Sequence, residues 1–175
     1  MLIVLPGLPG SGKTAIATGI AAARRLPVLS VDPIESAIVR AGIEQSFETG
    51  LAAYVVAEAL ADSMVTAGLS PVIDAVNSVD EARDMWRRLA RTRGVELRII
   101  ECSIADDAAH RARLSGRERG LAIPEPAWDD VVRRRETWLP WPEPHLTVDA
   151  LADLGANVAA VLAYLDAVRS SPSRP

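Results

Sequence analysis

The eight residues Gly7-Leu-Pro-Gly-Ser-Gly-Lys-Thr14 decide how this sequence folds. They fit the pattern G-x-x-x-x-G-K-[ST], in which successive backbone N–H groups turn inward as a nest for phosphate oxygens. The pattern needs a strand before it and a helix after it, and the apolar residues 2–5 and the helix-favouring residues 13–25 supply both. Residues 7–14, hereafter the phosphate loop, therefore predict a nucleotide-binding α/β protein.

Each polar position of the phosphate loop has a chemical reason. Gly10 and Gly12 permit the backbone turns, and together with Ser11 they direct N–H groups at a phosphate. Lys13 supplies an ammonium group for the β- and γ-phosphates, so we predict a catalytic as well as a nucleotide-binding role for it. The Thr14 hydroxyl is predicted to bind Mg²⁺. The helix that begins near Lys13 adds the positive end of its dipole.

Short apolar runs alternate with longer helical segments along the chain. Strands are predicted at residues 2–5, 27–31, 72–75, 95–102 and 145–148. Helices are predicted at residues 13–25, 34–41, 51–67, 78–93, 128–138 and 154–168, with one more opening at residues 103–106. This alternation predicts a P-loop NTPase three-layer sandwich, with about five parallel strands and helices on both faces. We expect a single domain over residues 1–175, with residues 170–175 frayed.

Two of the predicted helices open with a capping-box pattern, in which a hydroxyl residue is followed three positions later by an acidic residue. Ser78 pairs in this way with Glu81, and Ser103 with Asp106. We therefore expect each serine to be the N-cap of its helix.

The composition excludes several classes of protein. The chain has 175 residues, of which 49% are hydrophobic and 24% charged, and this excludes a disordered chain, a collagen-like fibre and a coiled coil. A single cysteine excludes an internal disulfide framework and a zinc site built from cysteines. The net charge of −4 and the pI of about 5.2 argue against nucleic acid as a partner. With no secretory signal or apolar span visible, we expect a cytoplasmic protein without a membrane partner.

Two aspartates end predicted strands, so both are expected at the crevice where the C-terminal ends of parallel strands meet. Asp32 can accept the proton of an attacking hydroxyl, or it can cap the following helix, and the two roles are compatible. Asp74 is predicted to hold Mg²⁺ through water, beside Thr14. Asn77, three residues further on, is either a turn residue or a substrate contact.

Four arginines fall within residues 111–119, immediately after the fourth predicted strand. We predict an arginine-rich lid here, with a lid and acceptor region at about residues 111–144. Arg117 is predicted to neutralise charge on the transferring phosphoryl group, and Arg111 and Arg113 to bind the nucleotide at a phosphate or by stacking on the base. The alternative is a solvated helix face. Gly116 and Gly120 interrupt the cluster as possible hinges, which favours the lid.

Other conspicuous residues have structural interpretations. Trp128, Trp138 and Trp141 lie in the least regular part of the chain, where they pack the core or shape an acceptor pocket, and we favour core packing. Cys102 ends an apolar strand and is expected to be an inert buried thiol.

The sequence also limits the kind of nucleotide chemistry. Lys13 is the one lysine of the chain, so the Asn-Lys-x-Asp signature by which GTPases select their base cannot be present. Motor and AAA+ ATPases are usually longer than 175 residues. A small phosphotransferase or a regulatory NTPase is left.

The sequence resembles the small P-loop kinases of the group containing chloramphenicol phosphotransferase, polynucleotide kinase, zeta toxin and adenylylsulfate kinase. Four stretches carry the resemblance: the phosphate loop, residues 31–35 (Val-Asp-Pro-Ile-Glu), residues 72–78 (Val-Ile-Asp-Ala-Val-Asn-Ser) and the arginine run. The resemblance extends loosely over about the first 120 residues. The segment rich in tryptophan and proline at residues 127–144 departs from the group.

This resemblance implies ATP and Mg²⁺ as cofactors, a hydroxyl acceptor, Asp32 as general base and lid arginines at the phosphates. In such kinases the adenine lies between the lid arginines and the loop after the last strand, here near residues 148–151. The expected function is an ATP-dependent transfer of the γ-phosphoryl group to a small hydroxyl-bearing substrate such as an antibiotic, a nucleoside or a sugar. The alternatives are a nucleic-acid 5′-kinase and a non-catalytic or slow ATP-binding regulatory module.

Overall fold

A computed structural model describes residues 1–167 of the chain. Its strands are β1 (Leu2–Leu5), β2 (Val28–Ser30), β3 (Val72–Asp74), β4 (Leu97–Ser103) and β5 (Leu146–Asp149). Its helices are α1 (Lys13–Arg24), α2 (Val31–Arg40), α3 (Phe47–Thr66), α4 (Asp80–Arg93), α5 (Asp107–Ser115), α6 (Trp128–Glu136) and α7 (Leu154–Asp166). Residues 168–175, which include the predicted frayed tail, lie outside the described part. Among residues 1–167, no helix combines the length and the apolar character needed to cross a membrane.

The five strands form one parallel sheet in the order β2-β3-β1-β4-β5, which confirms the predicted fold class. The four side chains of β1 are completely buried, as expected for a strand covered on both faces of a sheet. Asp74 at the end of β3 lies opposite Leu5 on one side and Ser30 on the other. The C-terminal ends of three neighbouring strands therefore meet at the point where the phosphate loop begins.

Helices cover both faces of the sheet and make two separate hydrophobic cores. On one face α2, α3 and α4 pack against the sheet, and Ala53, Ala57 and Ala61 let α3 approach it closely. On the other face the core is made by α1 and α7, with Ile16 and Ile20 of α1 among its members. Burying an apolar side chain of this size contributes roughly 1.5–3 kcal/mol relative to leaving it exposed. The core under α1 thus fixes the helix that follows the phosphate loop.

The boundary between β2 and α2 differs from the prediction. Asp32 does not end the strand, because β2 stops at Ser30 and α2 begins at Val31. Asp32 is instead the second residue of α2, with Ser30 as the N-cap. An acidic residue and a proline are both favourable in the first turn of a helix, where the N–H groups have no partner in the helix. Asp32 therefore combines a place beside the strand ends with the rigidity of a helix.

Three helix starts were also wrong in the sequence analysis. α4 begins at Asp80 with Val79 as its N-cap, so Ser78 does not cap it. Ser103 belongs to β4, and Asp106 itself caps α5 by accepting hydrogen bonds from the N–H groups of Ala108 and Ala109. α3 begins at Phe47, four residues before the predicted start. In the first two cases strand pairing and turn geometry outweighed a local capping pattern.

Candidate active site

The phosphate loop forms a tight turn between β1 and α1. Gly10 and Gly12 have φ angles of 85° and 79°, which L-residues other than glycine rarely adopt. α1 begins at Lys13, so the N–H groups of its first turn have no acceptor within the helix. A cavity of about 270 Å³, hereafter the loop cavity, opens above this turn. Its lining residues are Gly10, Gly12, Lys13, Thr14, Arg113 and Arg117.

A buried histidine supports the phosphate loop from below. His110 of α5 is 1% exposed, and its Nε2 lies 2.7 Å from the carbonyl oxygen of Pro9. Its ring also meets the edge of Trp128, with 5.5 Å between the ring centroids. No sequence pattern assigns a role to His110, because its partner lies 101 residues away in the sequence.

Lys13 lies deep in the site. The side chain is buried, and its Nζ donates a hydrogen bond to the carbonyl oxygen of Leu8 at 3.2 Å. Burial lowers the pKa of Lys13, while the nearby carboxylates of Asp74 and Asp32 act in the opposite direction. The ammonium group therefore makes its hydrogen bond to a neutral acceptor, and the phosphate oxygens of a bound nucleotide would give it negatively charged partners in direct contact.

Thr14 and Asp74 form the oxygen cluster that was predicted to hold Mg²⁺. The Thr14 hydroxyl donates to Oδ2 of Asp74 at 2.7 Å, and the Ser30 hydroxyl donates to the same oxygen at 3.1 Å. Mg²⁺ prefers hard oxygen ligands and is usually held by one or two protein groups together with water and substrate phosphates. A hydroxyl and a carboxylate beside the loop cavity fit that chemistry. Within residues 1–167, no cluster of three or more His, Cys, Asp or Glu side chains offers another metal site.

Asp32 faces a second cavity of about 380 Å³, hereafter the Asp32 cavity. Its polar lining is made by Lys13, Thr14, Ser30, Asp32, Asp74, Arg117 and Arg119, and its apolar lining by Pro33, Ala75, Val76 and Leu121. The side chain of Asp32 is 40% exposed. A carboxylate, a buried ammonium group and the predicted magnesium ligands therefore line the same space.

Arg119 is the main residue of this site that the sequence analysis did not single out. Its guanidinium forms an ion pair with Asp32 through Nη1. It also binds Glu125, with 2.8 Å between its Nε and Oε2 of the glutamate. Its backbone N–H donates to Oε1 of Glu125 at 2.9 Å. The ion pair with Asp32 connects residues 116–127, hereafter the lid loop, to the first turn of α2, and the contacts with Glu125 lie within the lid loop.

A further contact closes the lid loop on α2. The N–H of Ala122 donates to the hydroxyl of Ser36 at 2.8 Å, and Ser36 is buried. The lid loop is thus attached to α2 at two points one helical turn apart, Asp32 and Ser36.

The other lid arginines occupy distinct positions. Arg117 lines both cavities, and burial lowers the pKa of its guanidinium. Arg113 lines the loop cavity only. Arg111 lines neither cavity, and its guanidinium lies over the ring of Trp128 at 4.5 Å from the centroid. The structure therefore brings Arg113 and Arg117 to the phosphate loop and gives Arg111 a tryptophan as its partner.

Asn77 is a structural residue three residues beyond the end of β3, with a φ of 53° and no exposed surface. Its backbone N–H donates to the Tyr54 hydroxyl at 3.1 Å, and its Oδ1 accepts from Nε1 of Trp86 at 2.8 Å. Burial raises the pKa of Tyr54 to about 12, so this hydroxyl stays protonated. Of the two interpretations of Asn77, the turn residue agrees with these contacts.

The tryptophans pack against arginines. Trp141 is buried in the core beneath α4, and the guanidinium of Arg83 lies 4.7 Å from its ring centroid and 5.3 Å from that of Trp138. Trp128 lies against α5, as described above. These contacts agree with the packing interpretation. Only the part of the predicted lid and acceptor region that includes Arg113, Arg117, Arg119 and Leu121 reaches the cavities.

Solved structures of several kinases share this fold. A sugar kinase from Janibacter sp. HTCC2649 is 23% identical, with a TM-score of 0.69 over 94% of each chain. A gluconokinase from Sinorhizobium meliloti 1021 is 19% identical, with a TM-score of 0.66 over 97% of each chain. The APS kinase of Mycobacterium tuberculosis, in complex with AMPPNP and APS, is 17% identical, with a TM-score of 0.70 over 94% of this chain and 96% of that chain.

Comparison of the sequence alone gives a family match. A search of curated proteins finds no match to this chain. A family model described as AAA domain matches residues 2–138, which include the phosphate loop, Asp32, Asp74 and the lid loop. Because that match spans well over half of the sequence, the chain belongs to the AAA domain family.

Proposed function

We propose that the protein is an ATP-dependent phosphotransferase that transfers the γ-phosphoryl group to a hydroxyl of a small molecule. One observation carries the proposal: the Asp32 carboxylate shares its cavity with Lys13 and with the Thr14–Asp74 pair. A protein that only holds ATP has no need of a partly exposed carboxylate beside the phosphates. A kinase needs one to accept the proton of the attacking hydroxyl.

The residues divide the reaction between them. Lys13 and Arg117 bind and neutralise the terminal phosphates, and Arg113 contacts the nucleotide from the loop cavity. Asp32 accepts the proton of the acceptor hydroxyl, and the oxygen of that hydroxyl bonds to the γ-phosphorus. The bond from the γ-phosphorus to the β–γ bridging oxygen breaks at the same time, and ADP leaves. Thr14 directly, and Asp74 through water, would hold Mg²⁺, which supplies charge neutralisation at the phosphates when bound.

Several features support a small acceptor. The Asp32 cavity is a concave space of about 380 Å³, within the range of small-ligand pockets. The net charge of −4 gives the chain no bulk attraction for nucleic acid. The kinases that share the fold include a sugar kinase, a gluconokinase and an APS kinase. A nucleic-acid 5′-kinase is accordingly the weaker candidate.

The alternative from another class is a nucleotide-binding regulatory module with slow hydrolysis. The description AAA domain is compatible with it, since it names no acceptor. Asp32 separates the two. A regulatory module needs the phosphate loop but not the carboxylate, whereas the kinase needs both.

The test is transfer of labelled phosphate from ATP to a panel of sugars, nucleosides and hydroxyl-bearing antibiotics. Asp32→Asn should bind Mg²⁺–AMPPNP as the parent protein does, while losing transfer by roughly 10²–10⁴-fold. Asp129→Asn is the matched control, because Asp129 is also the second residue of a helix but lies on the surface at α6. Transfer by Asp32→Asn at the parent rate contradicts the role of Asp32, and no transfer to any compound favours the regulatory module.

A further inference from the structure

The charges that line the Asp32 cavity are not equally available to a ligand. Three cations reach this space, Lys13, Arg117 and Arg119. Lys13 belongs to the phosphate loop, and Arg117 lines the loop cavity as well, so both lie where the proposed triphosphate binds. Arg119 lines the Asp32 cavity but not the loop cavity. It is therefore the cation that an anionic group of the acceptor would have to use.

Arg119 already has two carboxylate partners. Asp32 takes one side of the guanidinium and Glu125 another, and the side chain of Arg119 is only 14% exposed. Partial burial raises the pKa of the Glu125 carboxyl, but the hydrogen bonds from the backbone and guanidinium of Arg119 outweigh this and leave that pKa below its usual value. Glu125 is thus ionised near neutral pH. The three side chains together carry one net negative charge.

The other residues that line the Asp32 cavity carry no positive charge that could bind an anion. Pro33, Ala75, Val76 and Leu121 are apolar, and the Ser30 hydroxyl donates to Asp74. Among the described residues, Arg117 makes no ion pair with a protein carboxylate, which leaves it free for phosphate. Once the triphosphate has neutralised Lys13 and Arg117, the part of the Asp32 cavity that is left for the acceptor has a net negative charge and apolar walls.

We infer that the acceptor is a hydroxyl compound without an anionic group, such as a neutral sugar or nucleoside, and that Glu125 sets this preference by neutralising Arg119. The inference rests on the proposed function, because it concerns the acceptor of the same site. A sugar acid or a phosphorylated acceptor would place its charge beside Asp32 with no free cation to receive it. Arg119 acts here as a positioning residue for Asp32.

The first experiment uses sulfate as an anion probe on the protein saturated with Mg²⁺–AMPPNP, which occupies the phosphate loop. Calorimetry should detect no second anion site in the parent protein. Glu125→Gln should gain sulfate affinity of at least about tenfold, and adding Arg119→Gln should remove the gain. Glu118→Gln removes an exposed charge from the same loop and should gain nothing. Sulfate binding to the loaded parent protein, or no gain in Glu125→Gln, overturns the inference.

The second experiment separates the acceptor preference from the kinase activity itself. Matched pairs are offered with ATP: glucose and gluconate, and ribose and ribose 5-phosphate. The uncharged member of a reacting pair should be used at least about tenfold better, and Glu125→Gln should narrow that ratio. Preference for the anionic member overturns the inference and leaves the kinase standing. No transfer to these pairs or to any compound of the wider panel, with the expected sulfate results, counts against the proposed function and leaves the charge assignment standing.

Discussion

Substitution of Gly12 by alanine tests whether the shape of the phosphate loop depends on one left-handed residue. Gly12 is the N-cap of α1 and has a φ of 79°. A β-carbon at this position would lie 3.1 Å from Cβ of Ala150 and 3.7 Å from Nη1 of Arg113. Both the backbone conformation and the close approach therefore disfavour a side chain here.

The expected magnitude follows from those two observations. An L-residue in the left-handed region costs roughly 1–2 kcal/mol. For a protein of this size each kcal/mol lowers the melting temperature by about 2–4 °C, so Gly12→Ala should lower it by about 2–8 °C. If the loop relaxes to avoid the strain, the N–H groups at the start of α1 rotate away from the cavity. Affinity for Mg²⁺–AMPPNP should then fall by about tenfold or more, which corresponds to about 1.4 kcal/mol.

Gly68→Ala is the matched control, since Gly68 has the same φ of 79° and no atom within 4 Å of the added β-carbon. Thermal unfolding and calorimetric titration with Mg²⁺–AMPPNP are measured on both variants. Gly68→Ala should show the backbone strain alone, with unchanged nucleotide affinity. Parent-like affinity in Gly12→Ala would refute the link between this conformation and phosphate binding.

Three further predictions concern stability and reactivity. Gly19→Ala should destabilise by roughly 1–3 kcal/mol despite the better helix propensity of alanine, because the new β-carbon would lie 2.5 Å from Cγ2 of Val158. In urea unfolding the same change should be neutral or stabilising in a Val158→Ala background, and a cost that persists there contradicts the packing of α1 on α7. Trp86→Phe should cost about 2–4 kcal/mol by the same assay, since it leaves a cavity and an unpaired buried Oδ1 on Asn77, and a loss below about 0.5 kcal/mol speaks against that contact. Burial raises the pKa of Cys102 to about 12, so the thiol should stay protonated at pH 8 and react with Ellman's reagent only after unfolding. Rapid labelling of the native protein would show that this thiol is accessible.

Much of the fold could be predicted because its signals are local. The phosphate loop, the apolar strands and the spacing between them indicate a parallel sheet with helices on both faces, and the sheet order confirms it. Boundaries were harder to predict where two local signals compete. Ser103 has the sequence of an N-cap, but its pairing with Asp149 keeps it in β4. Near Ser78, the left-handed Asn77 sets the direction of the chain and moves the start of α4 to Asp80.

The candidate site was predicted in part for the same reason. Thr14 ends the phosphate loop and Asp74 ends a recognisable apolar strand, and the structure brings them into contact. Arg119 looked like any other member of an arginine run. Its role depends on Asp32, which lies 87 residues earlier in the sequence, and no periodicity or spacing reports a contact of that kind. Glu125, six residues after Arg119, was the one local signal that could have identified it.

The contact between His110 and Pro9 limits what the eight-residue motif can do alone. His110 lies on α5, the helix that follows β4, and Arg135 of α6 lies 3.5 Å from the ring nitrogen that does not contact Pro9. Transfer of α1 and the turn before it to another protein would therefore move the consensus residues without the side chain that packs beneath them. A matching consensus in another chain should therefore be credited with nucleotide affinity only when a comparable side chain reaches the underside of its turn.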